Sequence, residues 1–143
     1  MAGWNGAEVP RPRSRTSRLV LVTEDDAAVR ASLKGVLESA GYGVIEAQEG
    51  AQALSLLGNE AIEVMILDLL MPGYDGLWVL DQLDAPPPQV IIYSASEHLL
   101  NEDFRQLYAS KVFCCLTKPG HPLDLLDTVA RAFAATDSQR VNL

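Results

Sequence analysis

Six side chains with evident chemical use follow four short apolar runs of the chain. They are, in chain order, Glu24, Asp25, Asp26, Asp68, Ser94 and Lys118. A short, continuous apolar run predicts a strand buried on both faces of a parallel sheet. Because parallel strands end at the same edge of a sheet, we expect these side chains to converge in one crevice.

Carboxylates gathered at such an edge need a positive partner. Two of them 4 Å apart repel by about 4 kcal/mol at an effective dielectric constant of ~20. Mg²⁺ suits a site built from oxygen ligands, and Lys118 would add an ammonium group. A bound cation, a lysine and a hydroxyl favour phosphoryl transfer, with Asp68 as the nucleophile and with Ser94 and Lys118 binding the transferred oxygens.

Each of these residues also has an ordinary structural interpretation. Asp68 could start the turn at Pro72 and Gly73, and the acidic segment at 24–26 could cap a helix. Ser94 could cap a helix with Glu97, and Lys118 could lie on the surface. Their joint placement, each after a different predicted strand, favours the chemical interpretation.

The elements that position these residues alternate regularly along the chain. The apolar runs predict strands near 19–22, 44–45, 64–67, 90–93 and 112–116. Helical spacing follows each run, with Leu100, Phe104, Leu107 and Tyr108 on the fourth helix and Leu126, Val129, Ala130 and Phe133 on the fifth. Such alternation predicts an α/β fold with a doubly wound, five-stranded parallel sheet covered by helices on both faces.

Composition narrows the class of protein. The chain has 143 residues, of which 48% are hydrophobic and 21% charged, enough for one domain. No apolar run approaches the ~18 residues of a membrane span, and residues 1–17 do not resemble a secretory signal, so we expect a cytoplasmic protein. Residues 19–143 carry a net charge of −11, which argues against nucleic-acid binding.

The cysteines and histidines give no metal-binding or disulfide pattern. Cys114 and Cys115 are adjacent in a predicted strand, where neighbouring side chains point to opposite faces. His98 and His121 are far apart in the sequence. We interpret the cysteines as reduced core residues and His121 as a loop residue, and the role of the cysteine pair stays open.

Four segments of the chain together resemble the receiver domain of bacterial two-component response regulators. The matching segments are residues 21–26, 67–76, 94–95 and 117–119. The resemblance implies a flavodoxin-like (βα)₅ fold with strand order 2-1-3-4-5 over residues 18–135. A disordered basic leader (1–17) and a short C-terminal tail (136–143) would flank it.

The resemblance also implies a role for each site residue. Asp68 would accept a phosphoryl group from a sensor histidine kinase or phosphotransfer protein, with Ser94 as the switch hydroxyl and Lys118 as the conserved-type lysine. Mg²⁺ would bind Glu24, Asp25, Asp68 and the backbone carbonyl of Leu70. Such a domain is not an enzyme beyond catalysing its own phosphorylation and dephosphorylation.

One residue departs from the family pattern. Cys115 stands three residues before Lys118, where receivers usually carry an aromatic residue that moves with the switch hydroxyl. We expect signalling by protein contact through the face at residues 97–134, as a monomer or weak homodimer. Backbone movement of the loop after Ser94 would carry the signal instead of the missing aromatic, with repacking of Tyr93 or Phe113.

Three other interpretations compete with that of a stand-alone receiver. The chain could be a receiver excised from a larger hybrid kinase or regulator. An aspartate-dependent phosphatase would carry an acidic residue two positions after its nucleophile, where this chain has Leu70. A flavodoxin-like electron carrier needs a phosphate loop after the first strand, and residues 24–26 would repel that phosphate.

Overall fold

The five apolar runs form one parallel sheet. The computed structural model describes residues 18–84, 88–95 and 100–141. The strands are β1 (Leu19–Thr23), β2 (Gly43–Ala47), β3 (Val64–Leu67), β4 (Gln89–Ser94) and β5 (Val112–Thr117). Their order is β2-β1-β3-β4-β5, and every neighbouring pair is parallel. The predicted fold class and strand order are therefore confirmed.

Within the part of the chain that the structure describes, five helices connect and cover the strands. They are α1 (Ala27–Ser39), α2 (Gly50–Asn59), α3 (Gly76–Gln82), α4 (Glu102–Leu107) and α5 (Pro122–Val141). The side chains of Asp26, Asp75 and Asn101 accept backbone hydrogen bonds at the starts of α1, α3 and α4. Helix α5 includes positions 136–141, which the sequence analysis assigned to a tail.

Some of the predictions fall on residues outside the described ranges. These residues are the basic leader at 1–17, part of the proline connector at 86 and 87, and Ser96, Glu97 and His98. Within the described ranges, no helix is both long and apolar enough to cross a membrane.

Two apolar clusters hold the helices against the two faces of the sheet. On one face, Leu33 and Leu37 of α1 and Val129 and Phe133 of α5 pack on the side chains of β1, β3 and β4. On the other face, residues of α2, α3 and α4 pack on the alternate side chains of the same strands. The central strands are therefore buried on both faces, as their continuous apolar runs predict.

Two predicted helix faces are wrong in detail. Leu107, the last residue of α4, is 72% exposed, whereas Phe104 and Tyr108 are buried and Leu100 packs partly buried ahead of the helix. The buried apolar residues of α5 are Leu125, Val129, Ala132 and Phe133, whereas the predicted Leu126 and Ala130 are only partly buried. The buried face of α5 is thus rotated by about one residue from the predicted face. Hydrophobic periodicity alone could not distinguish these two faces.

Strand β5 contains an irregularity where it pairs with β4. Val90 pairs with Val112, but Ile91 pairs with Cys114, so that Phe113 is an extra residue. Such a bulge is common in edge strands, and it changes which later side chains face each side of the sheet. As a result Cys115 packs with the cluster that contains α4, whereas Phe113 and Leu116 pack with the cluster that contains α5.

Polar contacts join the end of α4 to α3. The Tyr108 hydroxyl donates a hydrogen bond to Asp81 (2.9 Å), and the Lys111 ammonium donates one to the Leu80 carbonyl (2.9 Å). Burial and the hydrogen bond to the Asp81 carboxylate raise the pKa of Tyr108 to about 12. The protonated phenol is therefore favoured in the folded state.

This raised pKa predicts a loss of stability at alkaline pH. An unfolded tyrosine titrates near pH ~10, so the contribution of Tyr108 is complete below that pH. It is lost as the pH rises through about 12. Urea unfolding of wild type and Tyr108→Phe should give free energies that converge as the pH rises above about 10. Parallel pH profiles of the two proteins would contradict this assignment.

Gly76 allows α3 to start directly beneath the loop that carries Asp68. A Cβ at this position would overlap the Asp68 carbonyl oxygen and lie 2.8 Å from the Leu69 Cα. The backbone of Gly76 also donates a hydrogen bond to the Leu69 carbonyl (3.2 Å). A side chain here would therefore displace backbone rather than a flexible side chain.

We expect Gly76→Ala to lower the free energy of unfolding by about 1–3 kcal/mol, as overpacked sites do. Gly35→Ala is the matched control, because Gly35 lies in α1 with no atom within 4 Å of an added Cβ. That substitution should raise stability by about 1 kcal/mol through helix propensity. Urea denaturation measures both, and equal effects at the two glycines would contradict the close approach at Gly76.

Candidate functional site

The site lies where β1 and β3 end, at the C-terminal edge of the sheet. Glu24 follows β1 and is 2% exposed, and Asp68 follows β3 and is 7% exposed. Asp25 is exposed to solvent. Each of the three residues offers a carboxylate oxygen within 4.8 Å of the others. The structure therefore brings these three predicted ligands together.

Lys118 supplies the positive charge among these carboxylates. It follows β5, and its side chain is 17% exposed. The ammonium contacts the Glu24 carboxylate and lies 3.0 Å from Asp68 Oδ2. It also lies 5.8 Å from the centroid of the Tyr93 ring, within range of a cation–π interaction. One ammonium opposite three carboxylates leaves the site with a net negative charge.

Backbone amides hold the two buried carboxylates in place. The amide of Asp26 donates to Glu24 Oε2 (3.2 Å), and the amide of Leu70 donates to Asp68 Oδ1 (3.2 Å). The Asp26 side chain instead caps α1 by accepting from the amides of Ala28 and Val29. The cap interpretation therefore applies to Asp26, and the metal-ligand interpretation of Glu24 and Asp25 stays a prediction.

The pKa values of Glu24 and Lys118 reflect the closeness of the charged groups at the site. Burial, together with the nearby Asp68 charge, raises the pKa of Glu24, and the hydrogen bonds from Lys118 and Asp26 only partly oppose that rise. Burial alone would lower the pKa of Lys118, but the hydrogen bonds and charges of Glu24 and Asp68 outweigh burial and raise it. Lys118 therefore stays protonated between the two carboxylates.

The remaining predicted residues lie at different places around the site. Ser94 is fully buried at the end of β4, where it pairs with Thr117 and its carbonyl accepts a hydrogen bond from the Lys118 amide (3.0 Å). Leu70 turns its side chain to solvent, and the role of its carbonyl as a ligand stays a prediction.

Cys115 lies apart from the carboxylates. It lines a cavity of about 300 Å³ between α4 and β5, with Cys114, Phe104 and Arg105. Both cysteines are free thiols, and burial raises the pKa of Cys115. A protonated thiol is a weak nucleophile, which fits the interpretation of Cys115 as a packing residue.

The donor set fits a small, hard divalent cation. Carboxylate oxygens on adjacent strand ends are the ligands that Mg²⁺ prefers, and a partly exposed site leaves room for its retained waters. Here Asp25 is exposed while Glu24 and Asp68 are buried. These three residues would hold the ion, which would neutralise the charge that Lys118 leaves uncompensated.

The sequence analysis did not single out Arg30, and it named Tyr93 only as a residue that would repack. Arg30 donates a hydrogen bond to the Glu24 carbonyl (2.8 Å), and the Tyr93 hydroxyl accepts one from the Gly120 amide (2.8 Å). Arg30 lies four residues after the helix cap Asp26, which places it one turn above the acidic segment. That spacing was the available signal for Arg30.

The fold and this strand-end cluster define a class of protein. The chain matches the response regulator receiver domain family over residues 20–130. It therefore belongs to that family.

Relatives of known sequence are longer than this chain. The response regulator MprA of Mycobacterium sp. (strain KMS) is 47% identical over 64 residues, which cover 45% of this chain and 28% of that protein. MprA of Mycobacterium avium (strain 104) is 42% identical over the same length. The match thus spans less than a third of these curated relatives.

Solved receiver structures resemble the whole fold. The receiver domain of the Francisella response regulator 1452 is 26% identical with a TM-score of 0.71, covering 83% of this chain and 98% of that one. A CheY-like receiver domain protein from Methanospirillum hungatei JF-1 has a TM-score of 0.76 over 85% of this chain and 98% of that one. At 24% identity, this second likeness concerns the fold alone.

The dependence of the carboxylates on Lys118 can be tested by stability. We expect Lys118→Met to lower the free energy of unfolding by about 3 kcal/mol near neutral pH, because it leaves the buried carboxylates of Glu24 and Asp68 without their ammonium partner. The deficit should shrink as the pH falls below neutral, because the raised pKa of Glu24 lets that carboxyl become neutral at a higher pH than an ordinary glutamate.

Lys34→Met is the matched control, since Lys34 pairs with Glu46 at the surface (3.6 Å). It should cost less than about 1 kcal/mol. Urea unfolding at two pH values measures both variants. A Lys118→Met deficit that does not depend on pH would contradict the electrostatic explanation.

Proposed function

We propose that this chain accepts a phosphoryl group on Asp68 in a Mg²⁺-dependent reaction and signals the change by protein contact. The donor would be a phosphohistidine of a sensor kinase or phosphotransfer protein. The observation that carries the proposal is the buried Asp68 carboxylate, 3.0 Å from the Lys118 ammonium and grouped with Glu24 and Asp25. Membership of the receiver family supports the same reaction.

The reaction exchanges a P–N bond for a P–O bond. A carboxylate oxygen of Asp68 forms the new P–O bond as the P–N bond of the phosphohistidine breaks. The electron pair of that bond stays on the imidazole, which takes up a proton from solvent. When bound, Mg²⁺ would neutralise negative charge on the transferred group.

The residues of the chain prepare Asp68 for this step. The Leu70 amide and the Lys118 ammonium contact different oxygens of the carboxylate and so fix its orientation. Lys118 is also placed to bind an oxygen of the arriving phosphoryl group, whose charge is spread over three oxygens. Its raised pKa keeps it cationic during the reaction.

The charge of a phosphoryl group on Asp68 would shift the ends of β4 and β5. A phosphoryl group carries about −1.5 to −2 charges and replaces the −1 charge of the Asp68 carboxylate, so it adds about −0.5 to −1 near Ser94 and Lys118. Because the Ser94 carbonyl accepts a hydrogen bond from the Lys118 amide, a shift of either residue moves both strand ends. Tyr93 extends this path, since its hydroxyl accepts from Gly120 in the loop before α5.

The described part of the proposed output face, residues 100–134, offers a site for a protein partner. The cavity beside Cys115 opens there, and Leu107 and Leu123 are exposed apolar residues of the same region. A small thiol in place of an aromatic side chain leaves this cavity open. We therefore place Cys115 at the output face rather than in the reaction.

Two versions of this function differ in the length of the protein. The chain works either as a stand-alone receiver or as the receiver of a larger regulator, and the longer MprA relatives favour the second version. An aspartate-dependent phosphatase is less well supported, because Leu70 presents no acid–base group two positions after Asp68.

The test is phosphorylation by a small phosphodonor in the presence of MgCl₂. We expect intact-mass spectrometry to detect one added phosphoryl group on wild type and none on Asp68→Asn. Beryllofluoride should shift the amide NMR signals of Ser94, Lys118 and Gly120 in wild type only.

Asp75→Asn is the matched control. It removes the same charge from the next acidic residue after Asp68, and an asparagine can still accept from the Trp78 amide at the start of α3. This variant should be phosphorylated as wild type is. Phosphoryl transfer that persists in Asp68→Asn would overturn the assignment of the acceptor.

A further inference from the structure

Arg30 contacts the loop between β1 and α1, which carries two of the three grouped carboxylates. Its guanidinium Nη1 lies 2.8 Å from the Glu24 carbonyl oxygen and 3.4 Å from the Asp25 carbonyl oxygen. The Arg30 side chain is only 12% exposed. A partly buried cation thus binds the backbone of both residues without contacting their carboxylates.

A second contact anchors the guanidinium. Arg30 Nε donates to Glu46 Oε1 of β2 at 3.3 Å, so the side chain connects α1, the loop and the edge of the sheet. A guanidinium is planar and its donors have fixed directions. Binding two successive carbonyls therefore fixes two successive peptide groups, which in turn limits the directions in which the Glu24 and Asp25 side chains can point.

We propose that Arg30 is a positioning residue that holds Glu24 and Asp25 ready to bind a divalent cation. This inference rests on the function proposed above and adds to it a residue outside the ligand set. Groups that orient metal ligands contribute typically 10–100-fold to metal affinity. Repulsion among Glu24, Asp25 and Asp68 favours their separation, and a contact that fixes the backbone of Glu24 and Asp25 opposes it.

Electrostatics alone would give the opposite result. Arg30 is a cation near the proposed site of another cation, and its removal should strengthen binding of a divalent ion if charge were all that mattered. A positioning role instead makes removal weaken binding. The direction of the change therefore separates the two explanations.

The experiment measures Mn²⁺ affinity from the electron paramagnetic resonance signal of the free ion, with Mg²⁺ as competitor. Mn²⁺ accepts the same oxygen ligands as Mg²⁺. We expect Arg30→Met to raise the dissociation constant about tenfold. Methionine keeps much of the apolar stem and removes every donor.

Lys34→Met is the matched control. Lys34 lies one turn further along α1 and pairs with the same Glu46, and the same positive charge is removed. We expect its dissociation constant to stay within about twofold of the wild-type value, or to fall slightly through the electrostatic effect.

Arg30→Lys separates geometry from charge and also covers a failure of Arg30→Met to fold, which circular dichroism would reveal. Lysine keeps the charge but lacks the planar set of donors. We expect its dissociation constant to rise at least threefold. An unchanged or lower value in the folded Arg30 variants would overturn the proposal.

Failure of the proposed function would look different. In that case wild type itself would not bind Mn²⁺, or binding would persist unchanged in Asp68→Asn. Wild-type binding that depends on Asp68 but not on Arg30 would leave the proposed function standing and reject the positioning role alone.

Discussion

The fold of this receiver places like charges together, and one ammonium group holds them. Glu24 and Asp68 are buried beside each other, and Lys118 contacts both of their carboxylates. Neither residue is adjacent to Lys118 in the sequence, so only the parallel sheet brings the three together. The amides of Asp26 and Leu70 then fix the carboxylates that the ammonium attracts. The burial of the Asp68 carboxylate thus depends on the charge of Lys118, which lies 50 residues further along the chain.

Sequence patterns predicted the fold and the grouping of the carboxylates because both depend on features that repeat locally. Continuous apolar runs identified β1, β3 and β4, and the shared direction of parallel strands brought Glu24, Asp68 and Lys118 to one edge. The choice between the cap and the ligand roles in the acidic segment could not be made from residue types. Asp26 became the cap because its position immediately precedes α1.

The details that the sequence did not predict are set by packing between elements. Leu107 fits the apolar spacing of α4, yet as the last residue of that helix it is exposed. The sequence analysis did not single out Arg30, although its spacing from Asp26 was available, and β2 places Glu46 beside it. The Glu46 contact comes from a segment distant in the sequence, so no local pattern could reveal that contact.

The extra residue in β5 has a consequence for the order of side chains along the whole strand. In a regular strand the side chains point alternately to the two faces, so one inserted residue reverses the parity of everything that follows. Phe113 is that inserted residue, and Leu116, Thr117 and Lys118 all come after it. If Phe113 were instead paired with Ile91 in regular order, the two thiols would exchange faces. Lys118 would then come to the sheet edge one position out of step with Ser94.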